Sequence, residues 1–177
     1  MAKQPELFGV IPDMLIVSVA DRYLQAAVVL RSNPAANLLA LPVINAAIIA
    51  VELYLKSLNA TTVYSKISDP DGFRQLHSKA MSRDHHLSGQ YEDLDFDVRW
   101  KLEDSWRIAD DFRFEPRTLR LLLKEFDGVF QKTRYPFEEN NGVDGVNTDR
   151  LVSLARFLKE FIYEHEEEFF AWNRRPV

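Results

Sequence analysis

Between Leu38 and Leu58 the chain carries its most apolar run, broken by Pro42, Asn45, Glu52 and Lys56. A membrane-spanning helix requires ~20 mostly apolar residues, and charges inside such a span are costly. The interruptions therefore read as a buried core helix rather than a span. A helix that is apolar on most sides must be surrounded by other elements. The run from Val43 to Leu58 thus predicts a central helix, and the rest of the chain has to wrap it.

Helical periodicity recurs on both sides of this run. Pro12-Asp13 reads as a helix start, followed by Val17, Ala20, Leu24, Ala27 and Val28 at helical spacing up to Arg31. Asn33-Pro34 reads as a stop and a new start, and Pro42 opens or kinks the central helix. A short helix is predicted from His86 to Leu94. Asp95 or Asp97 then caps a helix striped with Val98, Leu102, Trp106, Ala109 and Phe112. Pro116 opens another, with Leu119, Leu122, Leu123, Phe126, Val129 and Phe130 on one face, ended by Pro136.

Residues 137–146 are polar and contain glycine, which predicts an exposed loop. Asn147 or Thr148 caps the last helix, whose stripe is Leu151, Leu154, Ala155, Leu158, Phe161, Ile162, His165 and Phe169. The segment from Asn59 to Asp71 is weakly patterned and reads as a loop, with a short helix from Phe73 to Met81. No strand-like alternation of useful length and no internal repeat stand out. The expected fold is an all-α, up-and-down bundle of four to five main helices with short extra helices.

With 177 residues the chain suffices for one sizeable core, so one domain is expected, its core spanning about 13–172. There is no cysteine, which excludes disulfides, thiolate metal sites and cysteine nucleophiles, and fits a reducing, cytoplasmic setting. The N-terminal residues lack the basic-then-apolar pattern of a secretory signal. The net charge of −5 gives no support to duplex nucleic-acid binding, which draws on basic patches.

Four polar features stand out against the apolar pattern. Asn45, Glu52 and Lys56 are spaced by seven and four, so they line one strip of the central helix. They are either a solvent-facing strip with a helical ion pair or a partly buried polar network. His85 and His86 adjoin Asp84, but adjacent histidines on a helix point about 100° apart and do not share a metal from one helix. A metal would need outside carboxylates such as Glu52 or Asp84, and no metal is expected. Arg134-Tyr135-Pro136 closes a helix. The arginine there either complements the helix dipole or turns inward to pair with Glu52 or an anionic ligand. His165 on the last apolar stripe reads as a hydrogen-bonded core residue.

Common enzyme motifs fail. With six glycines there is no phosphate-cradling loop, and no Gly-x-Ser-x-Gly elbow occurs. The stretch 141–145 hints at a calcium loop but lacks the alternating oxygen ligands, and Leu151 stands where the closing glutamate belongs.

Three segments in order resemble the HEPN superfamily of helical bundles. Asn45 to Leu58 looks like its central helix, with Glu52-Leu53-Tyr54-Leu55-Lys56 matching a Glu-Leu-x-Leu-Lys signature. His85 to Leu94 is similar to a Gly-His-Asp-Leu pattern, with Asp84 in place of the glycine and His86 in place of the aspartate. Arg134-Tyr135-Pro136 resembles the Arg-Tyr-Pro that closes the following long helix.

The resemblance implies that Glu52, Lys56, His85 and Arg134 gather at one groove, with His86 and Tyr135 as further ligand-binding candidates. It implies a homodimer, a partner of nucleotidyltransferase or toxin–antitoxin type, and no cofactor. The nuclease signature of that superfamily, Arg then four to six residues then His, is absent before His77, His85, His86 and His165. The expectation is therefore a non-catalytic domain binding a partner or a nucleotide-type anion. The alternatives are a divergent metal-independent ribonuclease and a purely structural subunit.

Overall fold

The computed structural model describes residues 6–8, 11–66, 73–80, 82, 84–109, 118–135, 143 and 145–173. The body of the chain is an all-α bundle of helices packed on one another. Its long members are α1 (Met14–Arg31), α2 (Ala40–Ser57), α4 (Phe96–Ile108) and α7 (Thr148–Asn173). The short ones are α3 (Leu87–Glu92), α5 (Leu119–Glu125) and α6 (Val129–Arg134), and a 3-10 turn over Ala36–Leu39 leads into α2.

The starts of α1, α4, α5 and α7 fall where short polar side chains accept orphan backbone N–H groups. Asp13 accepts from Leu15 and Ile16 at 3.0 and 3.3 Å, Asp95 from Asp97 at 3.0 Å, Thr118 from Leu121 at 3.3 Å, and Asn147 from Arg150 at 3.0 Å. Such caps are worth about 1 kcal/mol each. Pro42 sits in the first turn of α2, where its missing N–H has no intrahelical partner to lose.

α2 is the central helix and packs against α1, α7, α6 and α3. It is long and apolar enough to cross a membrane by length and composition, and most of it is buried inside the protein. The start of α1 meets the end of α2, because the Asp13 N–H donates to Ser57 O at 2.9 Å. One continuous core joins Ile48, Leu55, Leu102, Leu122, Leu158 and Phe161.

Two sequence expectations need correction. The stretches read as a loop and a short helix form strands over Ala60–Lys66 and Phe73–Ala80, and residues 67–72 and Met81 lie outside the described residues. β1 (Glu6–Phe8), β2 (Ala60–Lys66) and β3 (Phe73–Ala80) make an antiparallel sheet in the order β1-β2-β3. Val63 pairs His77 and Tyr64 pairs Gln75, with a register shift between them. Thr61-Thr62-Val63-Tyr64 is a β-branched and aromatic run, the residue types that favour a pleated surface.

The helix expected from Pro116 to Pro136 is two helices. Gly128, with φ 75°, breaks it in the left-handed region, where other residues are strained. Phe112, Pro116, Pro136 and most of the 137–146 loop lie outside the described residues.

Candidate functional site

Glu52 is 7% exposed, a buried carboxylate on an otherwise apolar helix. A carboxylate in that position needs cations or donors, because desolvation without compensation is costly. It has two. Lys56 Nζ, one turn on, lies 2.5 Å from Glu52 Oε1. His85 Nδ1 reaches the same oxygen at 3.1 Å from the segment before α3. The Glu52–Lys56 part of the strip is thus a partly buried polar network rather than a solvated face. Asn45 makes a separate contact on the same strip, accepting from Thr133 Oγ1 of α6 at 3.1 Å.

The histidine leads on to the arginine. His85 stacks on Phe130, centroids 6.0 Å apart and planes 26° apart. Arg134, one turn further along α6, holds its guanidinium 4.8 Å from the same ring's centroid. The three segments therefore converge: Lys56, Glu52, His85, Phe130 and Arg134 form one chain of contacts across α2, the α3 approach and α6. Arg134 makes no ion pair with Glu52, whose Oε1 engages both Lys56 and His85. The arginine lies exposed at the end of α6, and its charge also complements that helix's carbonyl end.

The neighbouring candidates sit at the flanks. His86 is the exposed N-cap residue of α3, and its backbone N–H donates to Asp84 Oδ1 at 2.9 Å. Tyr135 is the exposed C-cap of α6. Phe130 was read only as part of an apolar stripe, yet it is the ring that joins His85 to Arg134. Its spacing of four from Arg134 is the signal that would have found it.

The loop that presents His85 is fixed by its neighbours. Asp84 O accepts from Gln90 Nε2 at 2.9 Å, and the Asp84 N–H donates to Ser82 Oγ at 3.3 Å. Asp127, in the turn before α6, accepts from the backbone and hydroxyl of Ser88. A Cβ on Gly89 would overlap the Asp84 carboxylate.

Gly89→Ala therefore sets a helix-propensity gain of up to about 1 kcal/mol against displacement of the Asp84 carboxylate, whose hydrogen bond from the His86 N–H is worth about the same. Overall stability should change by less than about 1 kcal/mol. The His85 imidazole NMR signals should shift markedly, because Asp84 precedes His85 directly. Unchanged imidazole signals in the variant would mean that Asp84 does not position the ring.

His165 is the one member of the α7 stripe with a polar surround. Ser105 Oγ lies 3.5 Å from its Nε2. Glu168 Oε1 lies 3.4 Å from its Nδ1, which has no aligned hydrogen-bond partner. The order serine, histidine, carboxylate suggests a relay, but both distances exceed the 2.6–3.2 Å of a working nucleophile–base pair. Phe161 packs edge-on to the ring at 4.9 Å, and Lys101 engages Glu168 and holds that carboxyl below its ordinary range. The arrangement ties α4 to α7.

A second polar network escaped the sequence reading. Asp21 on α1 accepts from Tyr54 OH at 2.6 Å and from Tyr163 OH at 2.7 Å, and Lys159 Nζ lies 3.2 Å from it. Burial alone would raise the Asp21 carboxyl, but the three donors outweigh burial and hold it below its ordinary value. The network ties α1 to α2 and α7.

Among the described residues no group of three or more His, Asp and Glu side chains is arranged to hold a metal ion. No family model, no curated protein and no solved structure matches this chain.

Proposed function

We propose that this chain is a non-catalytic, HEPN-like helical domain that binds a small phosphate-bearing ligand of nucleotide type on the surface formed by His85 and Arg134. The observation that carries the reading is the contact of both side chains with one ring, Phe130, above a buried Glu52. An arginine fork takes two phosphate oxygens. A half-exposed histidine, held through Nδ1 by a carboxylate, donates Nε2–H to a third oxygen in its doubly protonated form. With Lys56 engaging Glu52, Arg134 supplies the local positive charge. A net charge of −5 favours a mononucleotide or short ligand over a duplex. On the HEPN resemblance, the domain works in the cytoplasm as a homodimer, with a nucleotidyltransferase or toxin–antitoxin type of partner.

Calorimetric titration with ATP, ADP and inorganic phosphate tests this. Binding of at least one is expected, raising the melting temperature as ligand exceeds its Kd. Arg134→Ala and His85→Ala should each weaken it about tenfold, the loss of one charge-assisted contact. Affinity unchanged in both variants would remove the site. No heat and no thermal shift with any probe would favour a purely structural subunit.

One observation supports a second reading, metal-independent RNA cleavage. The Glu52–His85 pair is a carboxylate-oriented imidazole beside a cation, the parts needed for proton transfer next to a scissile phosphate. Incubation with single-stranded RNA in excess chelator would then give cleavage that His85→Ala abolishes. Intact RNA together with nucleotide binding would leave the non-catalytic reading alone.

A further inference from the structure

α4 presents an outward face that the bundle leaves uncovered. Phe96 and Trp100, one turn apart, are 69% and 64% exposed. Scattered apolar residues on a surface are ordinary, but two aromatic rings bordering one concavity mark a contact surface. With Tyr91, Arg99, Arg107 and Arg120 they line an open groove of about 530 Å³.

Glu92 and Glu103 also border the groove, and both are occupied. Glu92 accepts from Arg99 and Arg120. Glu103 accepts from the Tyr91 hydroxyl at 3.1 Å and from the backbone N–H groups of Leu119 and Arg120 at the start of α5. Three guanidinium groups against two engaged carboxylates leave the groove cationic, in a chain that is acidic as a whole. Arg99 Nε is buried without an acceptor. Arg107 is exposed.

Exposed Trp, Phe and Arg together, as in Trp100, Phe96 and Arg107, are residue types enriched in protein interfaces. We propose that this groove docks an acidic segment of a partner protein, with an aromatic or branched side chain seated by Phe96 and Trp100 and a carboxylate of that segment on Arg107. Charge complementarity selects the acidic segment. Single-stranded nucleic acid also uses aromatic platforms, but a phosphate track needs several available cations, and Arg99 and Arg120 are already held by Glu92.

The test is selection of a displayed library of random dodecapeptides on the full chain. Enriched peptides should place Asp or Glu beside Trp, Phe or Leu. Synthetic copies should bind by fluorescence anisotropy, more weakly as salt rises. Trp100→Ala and Arg107→Glu should each weaken binding about tenfold or more, with circular dichroism unchanged because both side chains are exposed. His85→Ala should leave peptide binding intact, which separates this groove from the phosphate site. The proposal is overturned by an absence of enrichment, by enriched peptides without acidic residues, or by binding insensitive to both groove variants. It is equally overturned if an oligouridine strand binds through Trp100 more tightly than the peptides.

Discussion

Truncating Phe161 to alanine should remove about 3–5 kcal/mol of stability, a large share of what a domain of this size holds. Phe161 is 1% exposed at the middle of α7. Its ring meets Phe157 at 6.3 Å, His165 at 4.9 Å and Phe169 at 5.9 Å, so it is the centre of an aromatic column. Phe157 in turn meets Trp106 of α4 edge-on at 5.1 Å. Removing the central ring leaves a void whose neighbours are themselves rigid and held on one helix, so little collapse can refill it. Phe161→Leu keeps most of the volume and should cost about 1–2 kcal/mol. Urea melts give both numbers, with the midpoint falling and the slope unchanged. A loss below about 1 kcal/mol for the alanine variant would show that the column is loosely packed and that α7 is held by other contacts.

The helices were largely legible because their starts are written in local chemistry. Asp13, Asp95 and Asn147 announce caps within two or three residues of the N–H groups they serve, and the stripes of α1, α4 and α7 keep one period throughout. The sheet was not legible. Thr61 to Tyr64 is only four residues long, and its partner strand, Phe73–Ala80, mixes Arg74, Gln75 and His77 with Leu76 without alternation. Pairing across a hairpin supplied what local pattern lacked. The break at Gly128 was hidden because the apolar spacing of Phe126, Val129 and Phe130 continues across it; only the glycine itself marks the turn.

The candidate site was legible in part for the same reason. Glu52 and Lys56 are one helical turn apart, so their pairing follows from sequence. That His85 approaches the same carboxylate depends on where Asp84, Gly89 and Asp127 hold the start of α3, a tertiary fact with no sequence period. Phe130 carried a signal for packing that masked its part in joining His85 to Arg134. Asp21 carried none at all, since a single aspartate on an amphipathic helix reads as solvated. Its partners are 33 and 142 residues away in the chain.

Asp21→Ala is the second large effect, expected at about 2–3 kcal/mol, or roughly 4–12 °C in melting temperature. The Tyr54 side chain is fully buried, and its hydroxyl has Asp21 as acceptor. Deleting the carboxylate orphans that hydroxyl in the core, which costs more than a typical net hydrogen bond returns. Tyr163 is 45% exposed and finds water instead.

The asymmetry yields a sharp comparison. Tyr54→Phe alone should cost less, because Asp21 keeps Tyr163 and Lys159. The Asp21→Ala/Tyr54→Phe pair should be about 1 kcal/mol more stable than Asp21→Ala, because no orphan remains. Strict additivity of the two single changes would mean that the groups do not act as a unit.

The network also contributes to both limbs of the stability–pH profile. The folded Asp21 carboxyl titrates below its ordinary value of 3.8, so its contribution is present above that pH and lost as pH falls through the folded value. Tyr163 is pushed up to about 12, chiefly by its hydrogen bond to Asp21, and Tyr54 is raised by burial and then by the same carboxylate. A raised tyrosine contributes fully below its ordinary value of 10.0 and loses that contribution as pH climbs toward 12. Urea melts across pH should therefore show an acid limb and an alkaline limb in the native protein, both flattened in Asp21→Ala. An alkaline limb that survives the substitution at full height would place its origin in other groups, such as Tyr91, which burial and Glu103 also raise.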